Sequence, residues 1–114
     1  MMDTIERIKE QISENGILLY MKGSPKLPNC GFSSQASQAL MGCGEKFAYV
    51  DILLNPDIRA ELPKYADWPT FPQLWVDGEL VGGCDIIMEM YQQGELQTLI
   101  TESAAKHSAA ESSE

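Results

Sequence analysis

The sequence has few cysteines, and none of them belongs to a closely spaced pair. Cys30, Cys43 and Cys84 are an odd number at wide spacing in a chain of 114 residues. Disulfide frameworks and zinc sites use paired or clustered ligands, and the only histidine, His107, lies near the C-terminal end. The spacing therefore disfavours both kinds of site, and we expect free, reactive or ligating thiols in a reducing compartment.

Positive charge and long apolar runs are also scarce. The formal net charge is -9, which disfavours binding to polyanions such as nucleic acid or an anionic membrane surface. No apolar run approaches the roughly 18 residues needed to cross a bilayer, and the N-terminal segment is amphipathic and acidic, unlike a signal peptide. Glycine-rich signatures of dinucleotide or phosphate binding are absent. We expect a soluble cytoplasmic protein.

What is present predicts one α/β domain. A strand-helix-strand unit implies a parallel strand pair, and a later hairpin around Asp77-Gly78 adds two antiparallel strands. From about residue 104 the chain is mostly Ala, Ser and Glu, so 104–114 is predicted to be frayed helix passing into disorder. The predicted helices are 3–15, 31–41, 56–65, 86–93 and a last one from about 95, and the predicted strands are 17–21, 47–52, 73–76 and 79–81.

Three of the predicted helices carry capping signals at their start. Asp3 and Glu6 have the spacing of a capping box. Asn55 is a capping residue placed before a proline at the first helical position. Asp85 has the spacing of a cap for the helix over 86–93.

Cys30 is the candidate reactive thiol because it lies where a loop meets a predicted helix. Unpaired backbone N–H groups at a helix start stabilise an anion, which lowers the pKa of a thiol there. Lys22 and Lys26 in the preceding loop would add positive charge. The alternative reading is a helix cap or a buried structural cysteine.

The residue three positions after Cys30 is Ser33. A cysteine at that position would be a helical neighbour able to close a local disulfide. Serine cannot do so, and the ordinary dithiol cycle is therefore closed unless another thiol resolves a mixed disulfide.

Three motifs together resemble the monothiol glutaredoxin family. They are Cys30-Gly31-Phe32-Ser33, Trp68-Pro69-Thr70-Phe71-Pro72 and Gly82-Gly83-Cys84-Asp85, in that order along the chain. The resemblance implies a thioredoxin fold, with a four-stranded mixed sheet flanked by helices, and a glutaredoxin domain over 1–103. It also implies that Pro72 is a cis proline facing the reactive cysteine.

Glutathione is the ligand that this resemblance implies. It carries two carboxylates and one amino group, so its site needs cations at one end and N–H groups plus an acid at the other. Lys22 and Arg59 would hold the glycyl carboxylate, and the Phe71 backbone would bind the cysteinyl residue. Each residue also has a plainer reading, since Arg59 would sit equally well on a solvated helix face and Lys22 in any loop.

The segment after the hairpin would complete the glutathione site. The helix start at Gly83, Cys84 and Asp85 would bind the γ-glutamyl carboxylate through N–H groups, with the Asp85 side chain free for the ammonium group. Asp85 is also an ordinary helix cap by spacing. Cys84 would either resolve a disulfide with Cys30 or contribute only its backbone N–H, which we favour, and Cys43 is interpreted as structural.

Two functions fit a single reactive thiol. A 2Fe-2S cluster needs four thiolate-type ligands, which Cys30 from each of two chains and two glutathione thiols would supply in a homodimer. The resemblance implies this cluster-carrying role in iron-sulfur storage and transfer, with BolA-type proteins as heterodimer partners and apo iron-sulfur proteins as recipients. The alternative is a glutathione-dependent oxidoreductase using Cys30, an activity expected to be weak. A binding module without thiol chemistry is the third reading.

Overall fold

A computed structural model describes residues 2–112, and these fold into five helices around one four-stranded sheet. None of the described helices is long and apolar enough to cross a membrane. The elements in chain order are α1 (Thr4–Glu14), β1 (Ile17–Met21), α2 (Gly31–Gly42), β2 (Ala48–Asp51), α3 (Pro56–Ala66), β3 (Gln73–Val76), β4 (Glu79–Gly82), α4 (Cys84–Gln92) and α5 (Glu95–Ser112).

The sheet has the strand order β2-β1-β3-β4. β1 and β2 run parallel and are joined by the α2 crossover, whereas β1 pairs with β3 and β3 with β4 in antiparallel fashion. Parallel pairing of β1 and β2 follows from the crossover helix, and the tight turn between β3 and β4 requires an antiparallel pair. This mixed sheet confirms the predicted thioredoxin fold.

The central strand β1 separates two apolar cores. Leu19 and Met21 point into a core shared with α2, α4 and α5, while Leu18 and Tyr20 point into one shared with α1 and α3. Successive side chains of a strand face opposite sides of the sheet, so a strand covered on both faces must be apolar throughout. All five residues of β1 are buried.

The β3–β4 turn has the conformation that its sequence predicts. Asp77 and Gly78 have positive φ angles of 51° and 82°, as a two-residue hairpin turn of type I′ requires. The Asp77 backbone N–H donates to the Gly16 carbonyl at 2.8 Å. The turn is thereby attached to the residue just before β1.

The predicted caps Asp3 and Asn55 both occupy N-cap positions, but only Asp3 makes a side-chain cap bond. Asp3 caps α1, since its carboxylate accepts a hydrogen bond from the Glu6 backbone N–H at 2.8 Å. Asn55 occupies the N-cap position of α3 but makes no side-chain cap bond. Its amide instead donates to the Asp51 carbonyl at 2.9 Å and accepts from Arg7 at 3.2 Å, because these tertiary partners compete with the helix end.

The C-terminal helix α5 extends into the segment whose helix is predicted to fray. Residues 104–112 are helical, and the rest of the predicted tail, 113–114, lies outside the described residues. Ser103 is buried, and its hydroxyl donates to Asp77 Oδ1 at 2.9 Å. Lys106 and His107 reach the same carboxylate at 3.4 and 3.0 Å, which holds this part of α5 against the hairpin turn.

Candidate active site

Cys30 lies at the N-cap of α2 in extended backbone conformation and is half-buried. The backbone N–H of Ser33 lowers the pKa of the Cys30 thiol most, and burial opposes it. The Phe32 N–H, the Ser33 hydroxyl and the Lys22 charge lower that pKa further, so that it lies below its usual range. Lys26 is not among the causes. The helix start therefore favours the nucleophilic thiolate form.

Ser33 occupies the position of the second cysteine of a dithiol enzyme, and it also has a structural role. It is fully buried, and its hydroxyl accepts a hydrogen bond from the Lys22 backbone N–H at 3.0 Å. The same hydroxyl interacts with the Cys30 thiol. One side chain therefore joins the end of β1 to the first turn of α2 and positions the thiol between them.

The loop over 22–29 is a closed hairpin. Ser24 and Leu27 exchange two backbone hydrogen bonds of 3.0 and 3.2 Å, and the Asn29 N–H donates to the Lys22 carbonyl at 3.0 Å. Gly23 has φ +88°, and a Cβ there would lie 2.4 Å from the Leu27 carbonyl oxygen. Only glycine fits this conformation and this space, and the hairpin fixes Lys22 at its base.

A groove of about 670 Å³ lies beside the thiol. Cys30 is not among its lining residues, although Phe32, two residues further on, is. Pro72 is buried next to the lining residue Phe71 in sequence, and the peptide bond between them is cis. The fold brings to this groove the remaining predicted site residues, Lys22, Arg59, Phe71, Gly83, Cys84 and Asp85.

The start of α4 differs from the prediction by two residues. Gly83 is the N-cap and the helix begins at Cys84, so Asp85 lies in the first turn instead of capping it. A Cβ on Gly83 would lie 3.3 Å from the Pro72 carbonyl oxygen, and the close approach of these backbones therefore favours glycine at the cap. The cap gives no side-chain acceptor for the first N–H groups of α4, and Gly83, Cys84 and Asp85 line the groove.

One buried amide supports the opposite wall of the groove. Gln73 is fully buried, and its side-chain nitrogen donates to the carbonyls of Trp68 and Thr70 at 3.0 and 3.3 Å. Its side-chain oxygen accepts from Trp75 Nε1 at 3.2 Å. The segment before the cis proline is thereby tied to β3.

The same features occur in known proteins. A family model described as glutaredoxin matches residues 17–81, which include the reactive cysteine, the loop before it and the proline segment. The chain belongs to the glutaredoxin family. The resemblance inferred from the three motifs is thereby confirmed.

Curated relatives and solved structures extend this likeness over almost the whole glutaredoxin chain. It is 78% identical over 111 residues to Glutaredoxin 4 of Escherichia coli strain K12, covering 97% of this chain and 96% of that protein. It is 74% identical over 106 residues to Glutaredoxin 4 of Haemophilus influenzae strain 86-028NP, covering 93% and 99%. The solution structure of reduced poplar apo GrxS14 matches with a TM-score of 0.73 and 41% identity, covering 85% and 89%.

The other two thiols of this glutaredoxin differ from Cys30. Burial raises the pKa of Cys84, and the charges of Asp85 and Cys30 raise it further. The Cys84 thiol is half-buried and contacts the Gln35 side-chain oxygen at 3.4 Å. Cys43 is buried in the apolar core, where desolvation raises its pKa. Of the three, only Cys30 has a lowered pKa.

Sequence reasoning missed four residues of the glutaredoxin site. Trp68 and Thr70 line the groove, Gln73 holds their segment, and Ser33 holds the loop to α2. The Trp-Pro-Thr-Phe-Pro motif contains the first two, but it indicates backbone conformation and the family resemblance, and it assigns no ligand contact to Trp68 or Thr70. Nothing in the local sequence distinguishes Gln73 from any other strand residue.

Proposed function

We propose that this glutaredoxin binds a labile 2Fe-2S cluster between two subunits together with two glutathione molecules, and that it stores and transfers the cluster. The observation that carries the proposal is the single low-pKa thiol of Cys30, held by Ser33 at the position where a dithiol enzyme has its second cysteine. Cluster iron is ligated by thiolates. Cys30 is thereby suited to ligation and has no helical neighbour with which to close a disulfide.

The groove suits glutathione because its charges match those of the tripeptide. Lys22 and Arg59 would hold the glycyl carboxylate, and the Phe71 backbone would bind the cysteinyl residue beside the buried Pro72. The Gly83-capped start of α4 would bind the γ-glutamyl carboxylate through the N–H groups of Cys84 and Asp85. Within residues 2–112, Lys22 and Arg59 form no ion pair, so both charges remain for a ligand.

Two subunits follow from the number of ligands. Among the described residues no three His, Cys, Asp or Glu side chains gather into a metal site, and each chain offers the single thiol of Cys30 beside the groove. Two such chains and two glutathione thiols give the four ligands of the cluster. Apolar side chains on either side of Cys30 support a partner surface, since Leu27 is 77% and Phe32 61% exposed.

The cellular setting is part of the same proposal. A BolA-type protein would replace one subunit in a cluster-bridged heterodimer, and apo iron-sulfur proteins would receive the cluster. A cytoplasmic location fits free thiols, because the cytosol keeps cysteines reduced.

Anaerobic reconstitution with iron, sulfide and glutathione tests the carrier function. Absorption and circular dichroism spectra are compared for the unaltered protein, for Cys30→Ser and for a sample without glutathione. We expect a cluster spectrum only when both Cys30 and glutathione are present. Cys84→Ser is the matched control and should retain the spectrum. A cluster that forms with Cys30→Ser would contradict the proposal.

A second candidate function rests on the lowered pKa of Cys30. As a glutathione-dependent oxidoreductase, the Cys30 thiolate would attack the glutathionyl sulfur of a mixed disulfide and release the substrate thiolate. A second glutathione would attack the Cys30–glutathione disulfide, forming oxidised glutathione and regenerating the thiolate. Turnover of a glutathionylated peptide without any cluster on reconstitution would favour this function.

A further inference from the structure

One polar atom of the groove wall has no partner. Among the buried side-chain nitrogen and oxygen atoms of the described residues, Trp68 Nε1 alone makes no hydrogen bond. A buried donor without an acceptor destabilises the folded chain, and such atoms are rare in native proteins. An orphaned donor in the wall of a candidate ligand site therefore requires an explanation.

The second tryptophan, Trp75, shows that a buried indole N–H in this fold can have a hydrogen-bond acceptor. Trp75 Nε1 is also buried, and it donates to Gln73 Oε1 at 3.2 Å. The main chain of Trp68 is equally well held, because its N–H donates to the Pro63 carbonyl at 3.1 Å and its carbonyl accepts from Gln73 at 3.0 Å. The backbone of Trp68 is held by hydrogen bonds, and only its indole N–H lacks an acceptor.

A glycine lies beside this N–H. Gly83 is the neighbour, and a Cβ built on it would lie 3.4 Å from Trp68 Nε1. Gly82, the residue before it, has φ +149°, a conformation that other residues rarely adopt. The backbone of Gly83, which also lines the groove, therefore lies beside the donor.

We propose that Trp68 is a ligand-binding residue whose indole N–H donates a hydrogen bond to an oxygen of bound glutathione. This inference rests on the proposed function, since it assumes that glutathione occupies the groove. The indole nitrogen is a donor only, so its partner must be an acceptor, and glutathione offers carboxylate and amide carbonyl oxygens. Trp68 thereby adds a neutral donor to the cations Lys22 and Arg59.

Proton–nitrogen NMR tests the inference on the unaltered protein. The sequence contains two tryptophans, so the spectrum has two indole N–H signals, which Trp75→Phe assigns. Titration with reduced glutathione should move the Trp68 indole proton downfield and slow its exchange with solvent, while the Trp75 signal stays in place. A Trp68 signal that does not move while backbone signals of the groove report binding would overturn the inference.

Calorimetric titration with reduced glutathione gives the second measurement. Trp68→Phe keeps an aromatic ring and removes the donor, and it should weaken binding about fivefold to tenfold. Tyr49→Phe, which removes a hydroxyl from an exposed residue of β2 outside the groove lining, should bind like the unaltered protein. Equal affinity of Trp68→Phe and the unaltered protein would refute the hydrogen bond but leave the proposed function standing. Failure of the unaltered protein to bind glutathione would refute both.

Discussion

The polar side chains near the two ends of strand β1 differ in whether they have hydrogen-bond or ion-pair partners. At the N-terminal end, the Asp77 carboxylate in the hairpin turn has three partners on α5, namely Ser103, Lys106 and His107. At the C-terminal end, the groove beside Cys30 contains cations without ion pairs in the described part of the chain and an indole N–H without an acceptor. We call these the hairpin end and the groove end.

The difference predicts that the hairpin end contributes to the stability of the fold and the groove end to ligand binding. Satisfied polar groups stabilise a fold, whereas unsatisfied ones lower its stability and are retained where a ligand supplies the missing partner. Changes at the hairpin end should therefore alter the free energy of unfolding, and changes of exposed groups at the groove end should alter affinity for glutathione. Four substitutions test this division, beginning with the largest effect.

Gly23→Ala tests whether the groove end also needs a rigid frame. The added Cβ would lie 2.4 Å from the Leu27 carbonyl oxygen at a φ of +88°, and we expect a loss of about 3 kcal/mol in the free energy of unfolding. Gly44→Ala is the matched control, because Gly44 has φ +80° but nothing within 4 Å of the new Cβ. It should cost only about 1 kcal/mol. Equal losses in urea unfolding would show that strain alone, not the closed hairpin, fixes this glycine.

Arg59→Gln should reduce affinity without reducing stability. Arg59 is exposed, and losing a charge-assisted bond to a carboxylate should weaken glutathione binding about tenfold. The midpoint of urea unfolding should stay unchanged. A stability loss with intact affinity would assign Arg59 to the fold and undo the division between the two ends.

Asp77→Asn is the counterpart at the hairpin end. Burial raises the pKa of Asp77, but hydrogen bonds from His107 and Ser103 and the charge of Lys106 outweigh it, and the pKa lies below its usual range. We expect a loss of about 1 kcal/mol in the free energy of unfolding and unchanged glutathione affinity.

The pH dependence of Asp77 supplies its control. A carboxylate with a lowered folded-state pKa stabilises the protein above the ordinary carboxyl range, and this stabilisation disappears as pH falls through the lowered pKa. The stability difference between the unaltered protein and Asp77→Asn should therefore shrink on acidification. A difference that does not change with pH would mean that Asp77 acts through its shape and not its charge.

Ser33→Ala should cause the smallest change considered at the groove end, a slight rise in the pKa of the Cys30 thiol. The variant removes the hydroxyl that lowers the Cys30 pKa but keeps the backbone N–H that lowers it most. The pKa should rise slightly and stay below its usual range, as measured by the rate of alkylation against pH. Ser34→Ala is the control, since Ser34 binds Gln38 at 3.1 Å and does not affect the thiol. A return of the Cys30 pKa to its ordinary value would show that the Ser33 hydroxyl, and not the backbone N–H, lowers it most.

The sequence predicted what depends on near neighbours. A nearly continuous apolar run located β1 residue for residue, and Asp77-Gly78 specified the hairpin turn. The cis form of Pro72 came from the family resemblance, because local sequence does not determine it. Each of these features is encoded within a few residues or in a motif.

The sequence did not predict what depends on distant partners. One such feature is the hydrogen bond that the Ser103 hydroxyl donates to Asp77, 26 positions away in the chain. Gly83, and not Asp85, is the cap of α4, and the close approach of the Pro72 carbonyl that favours glycine there comes from another part of the chain. The unpaired indole N–H of Trp68 depends on its neighbours in the fold, and no periodicity or spacing in the sequence indicates it.

The most direct test of the account is native mass spectrometry of the anaerobically reconstituted protein. The account predicts a species whose mass equals two chains, one 2Fe-2S cluster and two glutathione molecules, and its absence in Cys30→Ser. A cluster-bearing species with a single chain, or with two chains and no glutathione, would contradict the central claim that the groove end supplies half of a shared ligand set.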